Sequence, residues 1–188
     1  EWLSRFQVKG KKTDKVKTLS KGNQQKVQLI ATLIHEPQLI ILDEPFSGLD
    51  PVNAELLKEG ILSLKKQGSC VIFSSHNMEH VEKICDHLVM LNNGKSVLNG
   101  VVHEIRESFG RTKVFFESPI TRDEIALLDG VTDVREREDQ TLEITLSNPE
   151  VGKEIFRLAT ADGYIPMFNQ QPPTLEEIFK QKVGEANV

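Results

Sequence analysis

Residues 39–51, "LIILDEPFSGLDP", carry the strongest structural signal in the sequence. The stretch begins with a continuous apolar run that ends in Asp43 and Glu44. Such a run is typical of a strand that is buried on both faces of a parallel sheet. Asp50 and Pro51 then supply a helix cap and a preferred first helical residue. The stretch therefore predicts a strand followed by a helix in an α/β domain.

The segments on either side extend this pattern. Before it, residues 23–36 place apolar side chains at helical spacing. After it, the helix is expected to end at Gly68, because glycine is common just beyond a helix end. Residues 69–76 then read as a second buried strand, and residues 77–86 as a short helix. Alternating strands and helices predict a parallel sheet.

A second domain is predicted after the first. We place the boundary near Arg111, which gives domains 1–110 and 111–188. The second domain has the order β-α-β-β-α-β, typical of a small α+β ferredoxin-like fold. A closing helix follows, with Thr174 as its expected cap.

Composition excludes some classes of protein. The 188 residues carry a formal net charge of −5, whereas a general nucleic-acid binder is usually basic. Basic residues gather within residues 1–26, which fits either a solvated face or a surface for an anion or a lipid headgroup. No apolar run approaches the ~20 residues that span a bilayer. Cys70 and Cys85 lack metal or redox spacing and are expected to be buried thiols.

Three side chains at predicted strand ends are candidates for chemistry. Asp43 and Glu44 point to opposite sides of a strand, so they cannot share one role. At the carboxyl edge of a parallel sheet, one acid can hold Mg²⁺ while the other faces a water. The same pair also occurs at the start of an ordinary turn. His76 ends the second strand at the same edge, either as a structural residue or as one that meets a phosphate.

"LSKGNQ", residues 19–24, comes just before a predicted helix. Ser20 and the backbone N–H groups around Gly22 can meet a phosphate at the positive end of that helix. An ordinary helix cap at Ser20 is the alternative.

Together these segments carry a family resemblance. "LSKGNQQKVQLIATLIHEPQLIILDEPFSGLDP", with "SSHNMEHVEKICD" downstream, resembles the ATP-binding subunits of ABC transporters along nearly all of residues 1–110. The resemblance implies that LSKGN is the ABC signature, and that Ser20, Gly22 and Asn23 grip the γ-phosphate of ATP bound by a partner subunit. The usual form is LSGGQ. The departures at Lys21 and Asn23 resemble a branch of ABC-2 type exporters.

The resemblance also implies roles for the strand-end residues. Asp43 would lie in the shell of Mg²⁺, Glu44 would orient the attacking water as a base, and His76 would sense the γ-phosphate. Asp50 would lie in the loop that crosses the dimer interface, and a role as helix cap remains open beside this one. ATP and Mg²⁺ are therefore the implied cofactors.

Partners and location follow from the same resemblance. It implies a transmembrane permease and a second ATPase subunit as partners. No nucleic-acid partner is expected, because the net charge is −5. The expected location is cytoplasmic, peripheral on the inner face of the cell membrane. The closing "PTLEEIFK" also resembles the C-terminal region of ABC-2 exporter ATPases.

The phosphate-binding loop of such ATPases, G-x-x-x-x-G-K-[ST], is not recognised in this sequence. The triplet Gly94-Lys95-Ser96 matches its last letters, but the position of the first glycine is taken by Val89. Asn93-Gly94 instead predicts a hairpin turn. We therefore interpret the chain as the C-terminal portion of an incomplete P-loop ATPase domain, which is expected to be inactive by itself.

Three functions are consistent with these features. The first is an ATP-hydrolysing subunit that powers an ABC exporter by dimerising on ATP. The second is a non-catalytic dimerising or regulatory fragment, because the phosphate-binding loop is missing. The third is a DNA-repair or chromosome-organising ATPase. It is disfavoured because no long heptad coiled coil is visible.

Overall fold

A computed structural model describes residues 2–117, 120–161 and 163–186. It divides into two compact units, Glu1–Ile84 and Cys85–Val188, which are described separately. This division lies before the predicted hairpin, so the hairpin belongs to the second unit. The domain boundary that we place near Arg111 stays a prediction. No helix in the described ranges is long and apolar enough to cross a membrane.

The first unit contains a two-stranded parallel sheet and its helices. Strands β1 (Leu39–Asp43) and β2 (Cys70–Ser74) pair with Leu39 opposite Cys70 and Asp43 opposite Ser74, which confirms the predicted parallel sheet. The elements in chain order are α1 (Trp2–Arg5), a 3-10 turn (Val16–Thr18), α2 (Lys21–Leu33), β1 (Leu39–Asp43), α3 (Pro51–Lys66), β2 (Cys70–Ser74) and α4 (Met78–Ile84).

The start and end of α3 are as predicted. Asp50 is the N-cap, and its Oδ1 accepts a hydrogen bond from the backbone N–H of Asn53 at 3.0 Å. Pro51 is the first helical residue, where its missing N–H is not needed. Gly68 follows the helix with φ +99°, a backbone conformation that favours glycine.

The core of the first unit lies on one face of the sheet. Ile40 and Leu42 are buried and pack in the same cluster as Leu57 of α3. Leu39 and Ile41 alternate with them and are 53% and 69% exposed. Adjacent strand residues point to opposite faces, and the helices described in this unit pack on only one of them. The prediction that this strand is buried on both faces is therefore wrong for this chain.

The cysteine prediction is also wrong. Cys70 is exposed because it lies on the uncovered face of β2, which Ile72 shares. Cys85 is half-buried where α4 ends. Neither forms a disulfide among the described residues.

The second unit begins with the predicted hairpin. Asn93 and Gly94 both have positive φ, +49° and +75°, as a tight hairpin turn requires. The triplet Gly94-Lys95-Ser96 thus lies in a turn and at the start of a strand. The elements are β3 (His87–Asn92), β4 (Lys95–Val101), α5 (Val102–Ser108), β5 (Lys113–Glu117), α6 (Arg122–Ala126), β6 (Val131–Glu136), β7 (Leu142–Leu146), α7 (Val151–Ala159), β8 (Met167–Gln171) and α8 (Leu175–Ala186).

The rest of this unit has the predicted ferredoxin-like order. Its four-stranded sheet runs β6-β7-β5-β8, and each neighbouring pair is antiparallel. Val114, Ile144 and Ile155 are fully buried where the sheet packs against α7. Thr174 caps α8 as expected: its N–H donates to Glu177 Oε2 at 2.9 Å, and Glu177 N–H donates to Thr174 Oγ1 at 3.3 Å.

Candidate functional site

The two acids at the end of β1 are held by one hydroxyl. Ser74, opposite Asp43 on β2, donates a hydrogen bond from Oγ to Asp43 Oδ1. The same Oγ accepts a hydrogen bond from the backbone N–H of Glu44 at 3.0 Å. Glu44 itself has φ +44°, so the chain leaves the strand direction at this residue. The serine therefore fixes one carboxylate directly and the other through its backbone.

Glu44 and His76 come together, although 32 residues separate them. The Glu44 Oε1 accepts the backbone N–H of His76 at 2.9 Å, and the His76 Nδ1 lies 2.7 Å from the same oxygen. Nδ1 is therefore the ring nitrogen that carries the proton when it donates to the carboxylate. The Glu44 side chain is 36% exposed and that of His76 is 81% exposed. The pair is fixed in place and open to a ligand.

The predicted signature residues gather at the start of α2. Ser20 is the N-cap, but its side chain does not cap the helix. Instead Ser20 Oγ accepts a hydrogen bond from Asn23 Nδ2 at 3.0 Å, and Asn23 Oδ1 accepts the N–H of Lys9 at 3.1 Å. The first N–H groups of a helix have no partner within the helix and sit at its positive end. This arrangement suits an anion.

Gly22, in the first turn of α2, has open space around it. A Cβ built on Gly22 meets no atom within 4 Å, and its φ is not in the left-handed region. Packing within this chain therefore does not require glycine at this position.

Asp50 makes its hydrogen bonds at the start of its own helix. Besides the bond to the Asn53 N–H, the Asn53 Nδ2 donates to Asp50 Oδ2. The hydrogen bond from the Asn53 backbone holds the pKa of Asp50 below its ordinary value. The capping role is thus explained by the local structure, whereas the interface role stays a prediction.

A cavity of about 310 Å³ lies beside the two acids in the first unit. Asp43 and Glu44 line it together with residues of α2 and α3, among them Lys26, Thr32 and Asn53. The lining thus includes two carboxylates and the cation of Lys26, and the cavity volume is at the lower end for small-molecule sites.

The donor set fits Mg²⁺ in the form that accompanies a nucleotide. Within the described part of the chain, no three His, Cys, Asp or Glu side chains cluster to hold a metal ion. Mg²⁺ commonly binds through one or two carboxylates and takes its other ligands from phosphate and water. Asp43, exposed at the edge of the sheet, supplies such a carboxylate.

Sequence reasoning missed Ser74 and Lys26. Ser74 could have been found by aligning the two predicted strands at their carboxyl ends, because that register places it opposite Asp43. Lys26 lies on a helix whose charges look solvated in the sequence, and only the packing of α2 brings it to the cavity.

Comparisons with known proteins match both parts of the chain. Residues 1–47 match the ABC transporter family model, and residues 100–183 match the ATP-binding protein DrrA1-3-like, C-terminal domain. An uncharacterised ABC transporter ATP-binding protein of Alkalihalophilus pseudofirmus is 45% identical over 185 residues, which cover 98% of this chain and 69% of that protein.

Two further proteins are also similar to this chain. Nod factor export ATP-binding protein I of Rhizobium etli is 32% identical over 178 residues, covering 94% of this chain and 55% of that protein. A solved structure of an ATP-binding subunit of an ABC transporter is 35% identical with a TM-score of 0.52, covering 58% of this chain and 45% of that one. The chain thus spans about half to about two thirds of the length of these proteins.

Proposed function

Since this chain belongs to the ATP-binding proteins of ABC transporters, we propose that it is the hydrolytic part of an ATPase that powers an exporter. The predicted family is confirmed by 45% identity over nearly the whole chain. The export direction draws support from the relative named for Nod factor export. The departures from LSGGQ in the signature also support it.

The observation that carries the proposal is the Glu44–His76 pair. One Glu44 oxygen is held by two groups of His76, at 2.9 and 2.7 Å. A carboxylate fixed in this way can orient a water and accept its proton as a general base. The exposed His76 ring can then contact the terminal phosphate that this water attacks.

Asp43 has a separate role in this proposal. The Ser74 hydroxyl aims its carboxylate, which would hold Mg²⁺. When bound with ATP, Mg²⁺ neutralises charge on the phosphates, and positioning and charge neutralisation are most of what phosphoryl transfer needs. Both contacts with His76 use Oε1 of Glu44, so the second carboxylate oxygen remains available to position the water.

The start of α2 would act on a second subunit. Ser20, Gly22 and Asn23 would contact the γ-phosphate of ATP bound by that subunit, so that ATP closes a homodimer or heterodimer. The open space around Gly22 supports a close approach from outside the chain. Asp50, exposed at the start of α3, would lie at the same interface while it caps its helix.

The remaining partners follow from this role. We infer that a transmembrane permease couples to the ATPase at the inner face of the cell membrane, on its cytoplasmic side. Nucleic acid is not a partner in this proposal, in line with the net charge of −5.

A non-catalytic dimerising or regulatory fragment is the second candidate. Val89 stands where the first glycine of a phosphate-binding loop would be, and the triplet Gly94-Lys95-Ser96 forms a hairpin instead. The ferredoxin-like part of the second unit would then be the dimerising or regulatory module.

Parallel measurements on the full-length protein and on residues 1–188 test these candidates. We expect Mg-ATP hydrolysis by the full-length protein. The 188-residue chain should show neither appreciable hydrolysis nor tight ATP binding, because a phosphate-binding loop is needed to hold the nucleotide. Micromolar binding of ATP to the 188-residue chain by calorimetry would refute the incomplete-site interpretation. An inactive full-length protein would favour the second candidate.

A further inference from the structure

His80 lies against Phe46, and this contact joins the two segments that also carry Glu44 and His76. The ring centroids are 4.2 Å apart, with 40° between the ring planes. Phe46 is buried and also packs edge-on against Phe73 of β2, with centroids 6.0 Å apart. The ring contact is therefore a second connection between the two segments, and it lies two residues after Glu44 and four residues after His76.

The loop that carries Phe46 is held by its own backbone. The Ser47 N–H donates to the Glu44 carbonyl at 3.0 Å, and the Leu49 N–H donates to the Phe46 carbonyl at 3.2 Å. Because these turns connect the residues directly, a displacement of Phe46 also displaces the backbone of Glu44.

The turn that carries His80 is held as well. The His80 N–H donates to Asn77 Oδ1 at 3.1 Å. The Asn77 side chain, directly after His76, thus caps the start of α4. The two ring-bearing segments are thus locally fixed, and the contact between the rings sets their relative position.

A histidine ring at position 80 lowers the stability of the folded state in a way that an apolar ring would not. His80 Nδ1 is buried and has no hydrogen-bond partner among the described residues. Leaving a buried polar atom without a hydrogen-bond partner destabilises the folded state. The ring face against Phe46, rather than a hydrogen bond from Nδ1, is therefore what this position contributes to the contact.

We propose that His80 is a positioning residue for Glu44, acting through Phe46. Its ring holds the loop after Glu44 against the first turn of α4. The Glu44 carboxylate therefore keeps its hydrogen bonds with His76. The inference rests on the proposed function of Glu44, but the geometric part of it can be measured without ATP.

The first test uses ATP hydrolysis by the full-length protein. His80→Ala is expected to lower kcat by about 10- to 100-fold, since small displacements of a catalytic group have effects of this size. KM for ATP should change much less than kcat, because Glu44 acts on the attacking water rather than on bound ATP. His80→Phe should restore kcat because it keeps the ring. His35→Ala, at an exposed position of the same unit, is the matched control.

The second test is amide hydrogen exchange of the nucleotide-free full-length protein. In His80→Ala the amides of Ser47, Leu49 and His76 should exchange faster, and His80→Phe should return them to wild-type rates. If His80→Ala does not fold, His80→Leu takes its place, since it keeps apolar volume without a ring.

These readouts separate the inference from the proposed function. Unchanged kcat together with unchanged exchange at these amides would overturn the role of His80, as would a loss of stability that leaves kcat intact. A wild-type full-length protein without ATPase activity would overturn the proposed function, and the exchange data would still decide whether His80 holds the loop.

Discussion

Ser74 lies opposite Asp43 at the last register position of two parallel strands, and its hydroxyl donates to Asp43 Oδ1. It also accepts the N–H of Glu44 at 3.0 Å. One side chain on β2 therefore fixes both acids at the end of β1.

Ser74→Ala should weaken the use of Mg²⁺ more than it weakens the fold. The substitution removes the bond that aims Asp43 and leaves the Glu44 N–H without its acceptor, at a cost of about 1 kcal/mol in the free energy of unfolding. We expect full-length protein to need a higher Mg²⁺ concentration for half-maximal ATP hydrolysis. Ser4→Ala, exposed on α1, is the control. An unchanged Mg²⁺ requirement would argue against this role of Ser74.

Gly22→Ala should separate folding from dimerisation. The Cβ of an alanine at position 22 meets no atom within 4 Å. The free energy of unfolding should therefore stay the same or rise by up to ~1 kcal/mol, which is the difference in helix propensity between glycine and alanine. ATP-dependent dimerisation should weaken, because the methyl group projects where the partner's phosphate is proposed to approach.

Light scattering after size exclusion, with and without ATP, measures this effect in the full-length protein. Gly184→Ala in α8 is matched, since a Cβ on Gly184 also meets nothing within 4 Å. Normal ATP-dependent dimerisation of Gly22→Ala would contradict the proposed contact.

The cap at Asp50 should make stability depend on pH. Its pKa in the folded chain lies below the ordinary value because the Asn53 backbone donates to it. A depressed carboxyl pKa stabilises the folded state above the unfolded pKa of about 4, and this stabilisation is lost as pH falls through the folded pKa.

Asp50→Ser isolates this contribution because serine also caps helices but does not titrate. In urea unfolding at pH 7, 5, 4 and 3, wild type should lose stability relative to Asp50→Ser below about pH 4. Asp50→Ala should be the least stable of the three at pH 7. A constant difference between wild type and Asp50→Ser over this range would show that the carboxylate contributes nothing through its charge.

The sequence predicts most of the strands and helices, although not the helix Val102–Ser108, and it predicts the edge where the acids meet. Parallel strands end at the same edge of a sheet, so the sequence predicts that Asp43, Glu44 and His76 lie at one edge. The order of elements likewise predicted the ferredoxin-like sheet, which the strand order β6-β7-β5-β8 confirms. These features follow from the local sequence pattern and from the order in which the strands and helices are connected.

Contacts that depend on register or on distant packing were not predictable. Ser74 is an ordinary strand residue until β1 and β2 are aligned. His80 contacts Phe46, which lies 34 positions earlier in the sequence. Neither residue type predicts a contact with the other. The apolar run that contains Ile41 indicates a strand, but it does not say whether anything covers its second face. That face is exposed here, with Ile41 69% exposed.

In the proposed mechanism, Glu44 positions the attacking water. Glu44→Gln keeps the size of the side chain and an oxygen for His76, but it removes the base. Turnover of Mg-ATP by the full-length protein should fall by at least about 100-fold, the usual contribution of a general base. Glu154→Gln, exposed on α7, should hydrolyse ATP normally.

The most direct measurement is therefore steady-state ATP hydrolysis by full-length Glu44→Gln, with ATP binding and dimerisation followed in the same samples. We expect lost turnover, retained binding of ATP and a larger fraction of dimer. Wild-type turnover in Glu44→Gln would show that Glu44 is not the base that positions the water.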